Sequence, residues 1–256
     1  MTAERQGRLA RDGVELAWSL LPGRGPTIVF LPGFKSDMAG SKALHLRDWA
    51  AGQGRAMLRL DYSGHGDSGG AFADGTIGGW AADARAVIAA VTPGPLLLVG
   101  SSMGGWIALL LARGPGLEVV GPGLQVVGLV GIAAAPDFTE TLLWDRLEAA
   151  ERAALLRDGV LERPSLYGAE PYRFTLRLIE DGRRHRLLDR PIPIACPARL
   201  LQGQRDPDVP WPTALTIAER LAGDDVRVHL VKDGDHRLSR PQDLALLSRT
   251  VAALLD

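Results

Sequence analysis

The sequence predicts an α/β fold in which a mostly parallel sheet of about eight strands is covered by helices on both faces. Short apolar runs of strand length alternate with longer stretches of helical periodicity over most of the chain. Most of the short runs end in Gly, Pro or Asp, which commonly terminate strands. A chain of 256 residues, 46% of them hydrophobic, is large enough for one substantial core. We therefore expect a single domain that spans residues 1–256.

Seven apolar runs predict strands, and five longer stretches between or after them predict helices. The strands are expected at Val14–Leu20, Thr27–Leu31, Ala56–Leu60, Leu96–Gly100, Val126–Ile132, Ala198–Gln202 and Arg227–Val231. The helices are expected at Lys42–Ala51, Ile77–Val91, Met103–Arg113, Pro212–Leu221 and Pro241–Leu255. Because parallel strands need a crossover connection, this alternation is typical of a parallel sheet.

One segment breaks the alternation. Residues 137–190 contain two amphipathic helical stretches, Leu142–Arg157 and Tyr172–Ile179, and no strand-like run. An insertion that follows the carboxyl end of a strand lies over the sheet edge where open α/β sheets bind ligands. We therefore expect residues 137–190 to form a small helical cap. The alternative is an ordinary pair of crossover helices.

Composition and charge exclude several classes of partner. The formal net charge is −1 and the longest basic run is Arg183–Arg186, so we expect no nucleic-acid partner. No apolar segment approaches the ~18 residues of a membrane-spanning helix, and no stable membrane insertion is expected. The N-terminal stretch MTAERQGRLARDG lacks the apolar region of a signal peptide, which favours a cytoplasmic location. The single cysteine, Cys196, rules out an intramolecular disulfide.

The stretch LLLVGSSMGGWIALLLA joins a predicted strand to a predicted helix through a glycine-rich turn. Residues 100–104 match the pattern G-x-S-x-G, which in this context forms a nucleophile elbow with Ser102 at its strained centre. A phosphate-binding loop at the helix N-terminus is the alternative. However, the turn has neither the following lysine nor the G-x-G-x-x-G spacing of such loops. We therefore predict that Ser102 is a nucleophile.

A serine nucleophile needs a histidine base and a carboxylate that orients it. In this architecture both follow the serine, the acid first and the histidine second. Asp206 lies in the turn after the predicted strand Ala198–Gln202, and His236 lies in the loop after Arg227–Val231. We predict Asp206 and His236 as these partners. Asp208 is the rival acid, but it lies closer to the start of the next helix.

The four other histidines, His45, His65, His185 and His229, are interpreted as surface or packing residues. No pair of histidines has the spacing of a zinc motif such as H-E-x-x-H, and we predict neither a metal nor a cofactor.

The reaction also needs N–H donors for the oxyanion of the intermediate, each worth ~3 to 4 kcal/mol. We predict the backbone N–H groups of Met103 and of Phe34, which follows Gly33 in LPGFKSDMAGSKA. An acyl pocket is predicted from apolar residues, although such spacing is more often that of a seam between the cap and the body. These are Trp106, Phe138, Leu143, Trp144, Leu147 and Tyr167.

The order of these motifs resembles that of α/β-hydrolases over the whole chain. The stretches LPGFKSDMAGSKA, GSSMGGW and PIPIACPARLLQGQRDPDVPW are similar to the mitochondrial α/β-hydrolase-domain protein ten group of S-depalmitoylases and acyl-glucuronide esterases. The resemblance implies an α/β-hydrolase fold and Ser102, Asp206 and His236 as the catalytic triad. The N-terminus departs from the group because it has no targeting extension, so we do not expect the same organelle.

We therefore expect a serine hydrolase that cleaves a thioester or carboxylic ester of a small molecule or an acylated protein. An acyl-glucuronide esterase is the alternative, in which Arg183, Arg184 or Arg186 would meet the substrate carboxylate. Cofactor-free perhydrolase or haloperoxidase chemistry uses the same triad. A binding module with slow turnover is the alternative outside enzymes.

Overall fold

The structure is a computed structural model that describes residues 3–92, 94–113, 124–164 and 171–255. These residues form an eight-stranded sheet, a separate two-stranded hairpin and seven helices of eight or more residues. The strands are β1 (Arg5–Arg11), β2 (Val14–Leu21), β3 (Arg24–Leu31), β4 (Arg55–Leu60), β5 (Leu96–Ser101), β6 (Val126–Ile132), β7 (Val160–Arg163), β8 (Tyr172–Thr175), β9 (Ala198–Gly203) and β10 (Val226–Val231). The helices are α1 (Ser41–Gly52), α2 (Ile77–Val91), α3 (Met103–Ala112), α4 (Ala149–Asp158), α5 (Leu176–Arg184), α6 (Pro212–Arg220) and α7 (Pro241–Ala252).

The main sheet has the strand order β1-β2-β4-β3-β5-β6-β9-β10. The first two strands are antiparallel to their neighbours, and all pairs from β4 to β10 are parallel. The predicted fold class is therefore confirmed. Strand β1 was not predicted, because its sequence RQGRLAR is largely polar and it forms an exposed edge of the sheet.

Both faces of the sheet are buried, as parallel sheets require. Along β3, Ile28 and Phe30 face α1 and α7, whereas Val29 and Leu31 face α2, α3 and α6. This alternation follows from the two-residue period of a strand. It fixes the register of β3 and hence the place where the chain leaves the sheet.

Residues 137–190, which we call the insertion, connect β6 to β9. They form two short helical turns, the helices α4 and α5, and the antiparallel hairpin β7–β8. The hairpin was not expected, and the predicted helix Tyr172–Ile179 is a strand followed by a helix. The break falls at Thr175, whose side chain accepts the N–H of Leu178 at 3.1 Å and caps α5.

The two ends of the insertion are tied to each other at the sheet edge. The carboxylate of Asp137 accepts the N–H groups of Leu187 and Leu188 at 2.8 and 2.9 Å. The insertion also contacts α2, because Asp181 accepts the N–H of Gly78 at 2.7 Å. Its entry and exit are thus held together by buried hydrogen bonds.

Within the described residues, the helices are too short or too polar to cross a membrane.

Candidate active site

Ser102 lies between β5 and α3 in a strained backbone conformation, with φ 53° and ψ −118°. Non-glycine residues rarely adopt such values, and they persist only where the surroundings enforce them. The N–H of Ser102 donates to the carbonyl of Ile132 at 2.8 Å, and its carbonyl accepts the N–H of Ala135 at 3.1 Å. The end of β6 therefore holds the turn that carries Ser102.

The two glycines of the motif leave no room for a side chain. A Cβ atom on Gly100 would overlap the carbonyl of Gly104, and one on Gly104 would overlap the carbonyl of Leu31. These neighbours are backbone atoms and cannot move aside cheaply. The turn from β5 into α3 is therefore tight because both positions are glycine.

The three residues predicted as the triad lie together at the carboxyl edge of the sheet. His236 Nε2 lies 3.1 Å from Ser102 Oγ, and His236 Nδ1 lies 2.8 Å from Asp206 Oδ2. The side chain of Asp206 is 0% exposed and that of His236 is 16% exposed. In this arrangement the imidazole of His236 can accept the proton of Ser102, while the buried carboxylate of Asp206 orients the imidazole.

The carboxylate of Asp206 is fixed by three further donors. Oδ1 accepts the N–H groups of Asp208 and Val209 at 2.9 and 2.8 Å, and Oδ2 accepts Gln202 Nε2 at 3.0 Å. Gln202 belongs to β9 and is buried. Asp206 is thus the acid that meets the histidine, whereas Asp208 contributes its backbone N–H and lines the adjoining cavity.

The loops that carry the acid and the base pack directly on each other. We call them the β9–α6 loop (residues 204–211) and the β10–α7 loop (residues 232–240). The N–H of Arg205 donates to the carbonyl of Gly234 at 2.9 Å. Leu238 has a φ of 43°, and its N–H donates to Asp235 Oδ1 at 2.9 Å. Neighbouring parallel strands therefore deliver Asp206 and His236 to one place.

The two predicted oxyanion donors flank Ser102. Met103 is the first residue of α3, and the first N–H groups of a helix have no acceptor within it. Phe34 follows Gly33, where an added Cβ would lie 3.4 Å from Ser102 Cβ. The chain after β3 thus passes directly over the serine.

The β3–α1 loop (residues 32–40), which carries Phe34, is held by β4 and the residue that follows it. Arg59 Nη1 donates to the carbonyl of Met38 at 2.6 Å, and the N–H of Met38 donates to Asp61 Oδ1 at 2.7 Å. Burial raises the pKa of Asp61 to about 6 against the lowering effect of the N–H groups of Asp67 and Met38. These two hydrogen bonds of Met38, which we call the Met38 clamp, were not predicted from the sequence.

A cavity of about 550 Å³ has Ser102 in its lining, together with apolar and polar side chains. The apolar lining residues, which we call the apolar wall, include Phe34, Phe138, Leu142, Leu143, Tyr172 and Phe174. The polar lining residues, which we call the polar wall, include Ser36, Asp37, Ser41, Lys42, Asp208, Arg237 and Ser239. In the apolar wall, Phe34 stacks on Phe174 with ring centroids 5.3 Å apart. The hairpin residues were missed because the segment was read as helix.

The predicted pocket residues separate into three groups. Phe138 and Leu143 line the cavity. Trp106, Trp144 and Leu147 lie outside its lining, which corrects that expectation, and Tyr167 lies outside the described residues. Trp106 is fully buried, and its indole N–H donates to the carbonyl of His185 at 3.1 Å.

Trp144 and Leu147 pack within the insertion itself. The guanidinium groups of Arg152 and Arg183 lie 5.5 and 4.6 Å from the Trp144 ring. Leu147 belongs to a small core with Leu155 and Ile179. Apolar spacing in the sequence does not distinguish such packing from a pocket wall.

The basic run of the insertion does not reach the described lining of the cavity. Arg183 pairs with Glu140 at 2.7 Å and Arg184 pairs with Asp181 at 2.8 Å. Arg183 and Arg184 therefore form ion pairs on the insertion rather than a wall of this cavity.

Asp206, Asp208 and His236 have potential metal-ligand atoms within 4.8 Å of one another. The bond from His236 Nδ1 to Asp206 occupies one of these atoms. The carboxylate of Asp206 is already saturated with donors. The cluster is therefore explained by the hydrogen bonds that join His236 and Asp206.

Comparison with known proteins agrees with the fold and the motif order. A model described as "Alpha/beta hydrolase family" matches residues 28–246. The chain belongs to the alpha/beta hydrolase family. Human mitochondrial palmitoyl-protein thioesterase ABHD10 is 38% identical over 246 residues, which cover 96% of this chain and 78% of the relative. The resemblance to the ABHD10 group is thus confirmed.

Two solved structures are similar to this chain over nearly its whole length. A putative hydrolase from Agrobacterium vitis S4 has a TM-score of 0.92 and 43% identity, and the match covers 100% of both chains. Mouse alpha/beta hydrolase domain-containing protein 10 has a TM-score of 0.87 and 36% identity, with 98% of each chain covered. Together with the relatives' names, these matches identify the chain as a hydrolase.

Proposed function

We propose that this hydrolase cleaves acyl thioesters or carboxylic esters through an acyl-enzyme formed on Ser102. The observation that carries the proposal is the position of His236, whose two ring nitrogens lie 3.1 Å from Ser102 Oγ and 2.8 Å from Asp206 Oδ2. A single imidazole can therefore accept the serine proton and be held in the required tautomer.

In the acylation step, Ser102 Oγ attacks the carbonyl carbon while His236 Nε2 accepts its proton. The negative oxygen of the tetrahedral intermediate is held by the N–H groups of Phe34 and Met103. Collapse of this intermediate breaks the bond to the leaving sulfur or oxygen, which takes the proton from His236. Water then gives its proton to His236 and attacks the acyl carbon, and Ser102 leaves with that proton restored.

The composition of the two walls favours a substrate with an apolar acyl group and a polar leaving group. The six aromatic or aliphatic side chains of the apolar wall suit an acyl chain. The relatives are named palmitoyl-protein thioesterases, which favours a long acyl chain and an acylated-protein or small-molecule thioester as substrate. We further propose that residues 1–256 form one domain and that the insertion is its cap.

An acyl-glucuronide esterase is the second candidate, and one observation favours it. The cations Lys42, Arg146 and Arg237 line the cavity, where they would attract a substrate carboxylate. This set replaces Arg183, Arg184 and Arg186, which do not line it. Perhydrolase, haloperoxidase and slow-turnover binding functions remain alternatives that no feature of the site favours.

The curated relatives are named as mitochondrial proteins. The cytoplasmic location that the N-terminal composition favours stays a prediction.

The proposal is tested by labelling and by a substrate series. A fluorophosphonate probe should label the wild-type protein and not Ser102→Ala. The wild type should hydrolyse a palmitoyl-thioester peptide, with rates that rise along a series of p-nitrophenyl esters of increasing chain length. Turnover confined to short oxygen esters would exclude the depalmitoylase proposal. Preference for an acyl-glucuronide would select the second candidate.

A further inference from the structure

Lys42 connects the start of α1 to the loop that carries His236. Its Nζ donates to the carbonyl of Arg237, the residue directly after His236, at 2.5 Å, and to Ser239 Oγ at 3.5 Å. The hydroxyls of Ser41 and Ser239 lie 3.4 Å apart and join the same two segments. Three polar contacts therefore bridge the β10–α7 loop and α1.

Lys42 is partly buried, and its pKa differs from that of a solvent-exposed lysine. Burial lowers the pKa of Lys42 to about 8, against the opposite effect of the carboxylates of Asp235 and Asp243. Burial removes water from the ammonium group of Lys42. The two groups that accept its hydrogen bonds, a carbonyl and a hydroxyl, are both neutral. Among 29 basic residues the chain has only three lysines, and two of them, Lys35 and Lys42, line the cavity.

Lys42, in the first turn of α1, holds the β10–α7 loop, which carries His236. The β10–α7 loop contains Leu238 in a left-handed conformation, which its surroundings must enforce. The β3–α1 loop is fixed to the sheet through the Met38 clamp described above. Lys42 lies two residues after the β3–α1 loop. It therefore links the loop that carries His236 to a segment that is anchored to the sheet.

We propose that Lys42 is a positioning residue that holds the Arg237 carbonyl and thereby sets His236 relative to Ser102. This inference rests on the proposed function of the triad. Misplacement of a reacting group by about 1 Å can lower a rate on the order of 100-fold. Lys42 itself transfers no proton in this scheme, and it acts on His236 only through the carbonyl of Arg237.

The experiment compares Lys42→Met and Lys42→Arg with the control Lys232→Met. Lys232 is an exposed lysine on the same loop and does not belong to the described lining of the cavity. The measurements are the rate constant of fluorophosphonate labelling, and kcat and KM for p-nitrophenyl butyrate. We expect Lys42→Met to lower the labelling rate and kcat roughly 10- to 100-fold with KM changed less than about threefold. Lys42→Arg should recover most of the loss, and Lys232→Met should match the wild type.

A second variant, Ser239→Ala, keeps the inference testable if Lys42→Met does not fold. It should lower kcat about two- to fivefold, the size of one weakened hydrogen bond. When both variants fold, the double variant should be no slower than Lys42→Met, because both residues act through one clamp.

Several results would overturn the inference. A rise in KM at unchanged kcat would make Lys42 a substrate contact instead. Failure of Lys42→Arg to recover any activity, or unchanged labelling rates in both Lys42→Met and Ser239→Ala, would also reject it. These failures are distinguishable from failure of the proposed function, in which the wild type itself would not be labelled at Ser102.

Discussion

The carboxyl edge of the sheet and the insertion face each other across one cavity, but they are built differently. Ser102 follows β5, whose residues are all buried, and close backbone packing fixes the position of this turn. The insertion has a small core of its own around Leu155 and a partly exposed hairpin. We therefore expect changes at the sheet edge to abolish chemistry and changes in the insertion to alter substrate preference.

The largest expected effect is at the acid of the proposed triad. Asp206→Asn should lower kcat by about 10⁴-fold, because the amide favours the wrong tautomer of His236, as in comparable triads. Asp208→Asn is the matched variant and should lower kcat at most a few-fold, since Asp208 holds Asp206 through its backbone N–H. Steady-state kinetics check both. Equal losses would mean that the acid is shared between the two residues.

The glycine of the elbow tests whether the edge is fixed by backbone packing. Gly104→Ala should destabilise the fold by roughly 3 kcal/mol or more, because its Cβ would meet the carbonyl of Leu31. Gly52→Ala is the control, since an added Cβ there meets nothing within 4 Å, and it should be neutral or slightly stabilising. Urea unfolding measures both. A Gly104→Ala protein as stable as Gly52→Ala would contradict the packing argument.

The buried Asp61 predicts a pH dependence of stability at the sheet edge. Its folded pKa of about 6 lies above the ordinary value of 3.8, so the folded state binds more protons between these two values. The contribution of Asp61 is therefore fully present below about pH 4 and is lost as pH rises through 6. The difference is on the order of 3 kcal/mol.

This dependence is measured by comparing the free energies of unfolding of the wild type and Asp61→Asn from pH 4 to pH 7. The wild type should lose stability relative to the variant over this range. A constant difference between the two proteins would show that the carboxyl titrates normally.

The smallest expected effect is in the insertion. Phe174→Ala removes the ring that stacks on Phe34 in the apolar wall. We expect kcat/KM for long-chain esters to fall about tenfold and that for acetyl esters to change less than twofold, because loss of aromatic contact is worth about 1 to 2 kcal/mol. Leu156→Ala, at an exposed position of α4, is the control. A uniform loss across chain lengths would mean that the insertion also positions the triad.

The contrast between the sheet edge and the insertion also explains which features could be predicted from the sequence. Ser102, Asp206 and His236 could be predicted because each lies in the turn or loop after a predicted strand, and because the order of the acid and the base is constrained. The hairpin β7–β8 was missed because its strands have only four residues each and lie beside helical patterns. Trp106 was wrongly assigned to the pocket because the spacing of apolar residues along a helix does not distinguish a buried core side chain from one that lines a pocket. Lys42 carries no local signal, since its acceptors lie almost 200 residues further along the chain.

The most direct test of the account is to trap the acyl group on the enzyme. The protein is mixed with an excess of p-nitrophenyl butyrate, quenched in acid within the first turnover, and analysed by peptide mass spectrometry. We expect one butyryl group per chain on Ser102, none on the neighbouring Ser101, and no turnover by Ser102→Ala. A butyryl group on Ser101, or undiminished hydrolysis by Ser102→Ala, would contradict the account.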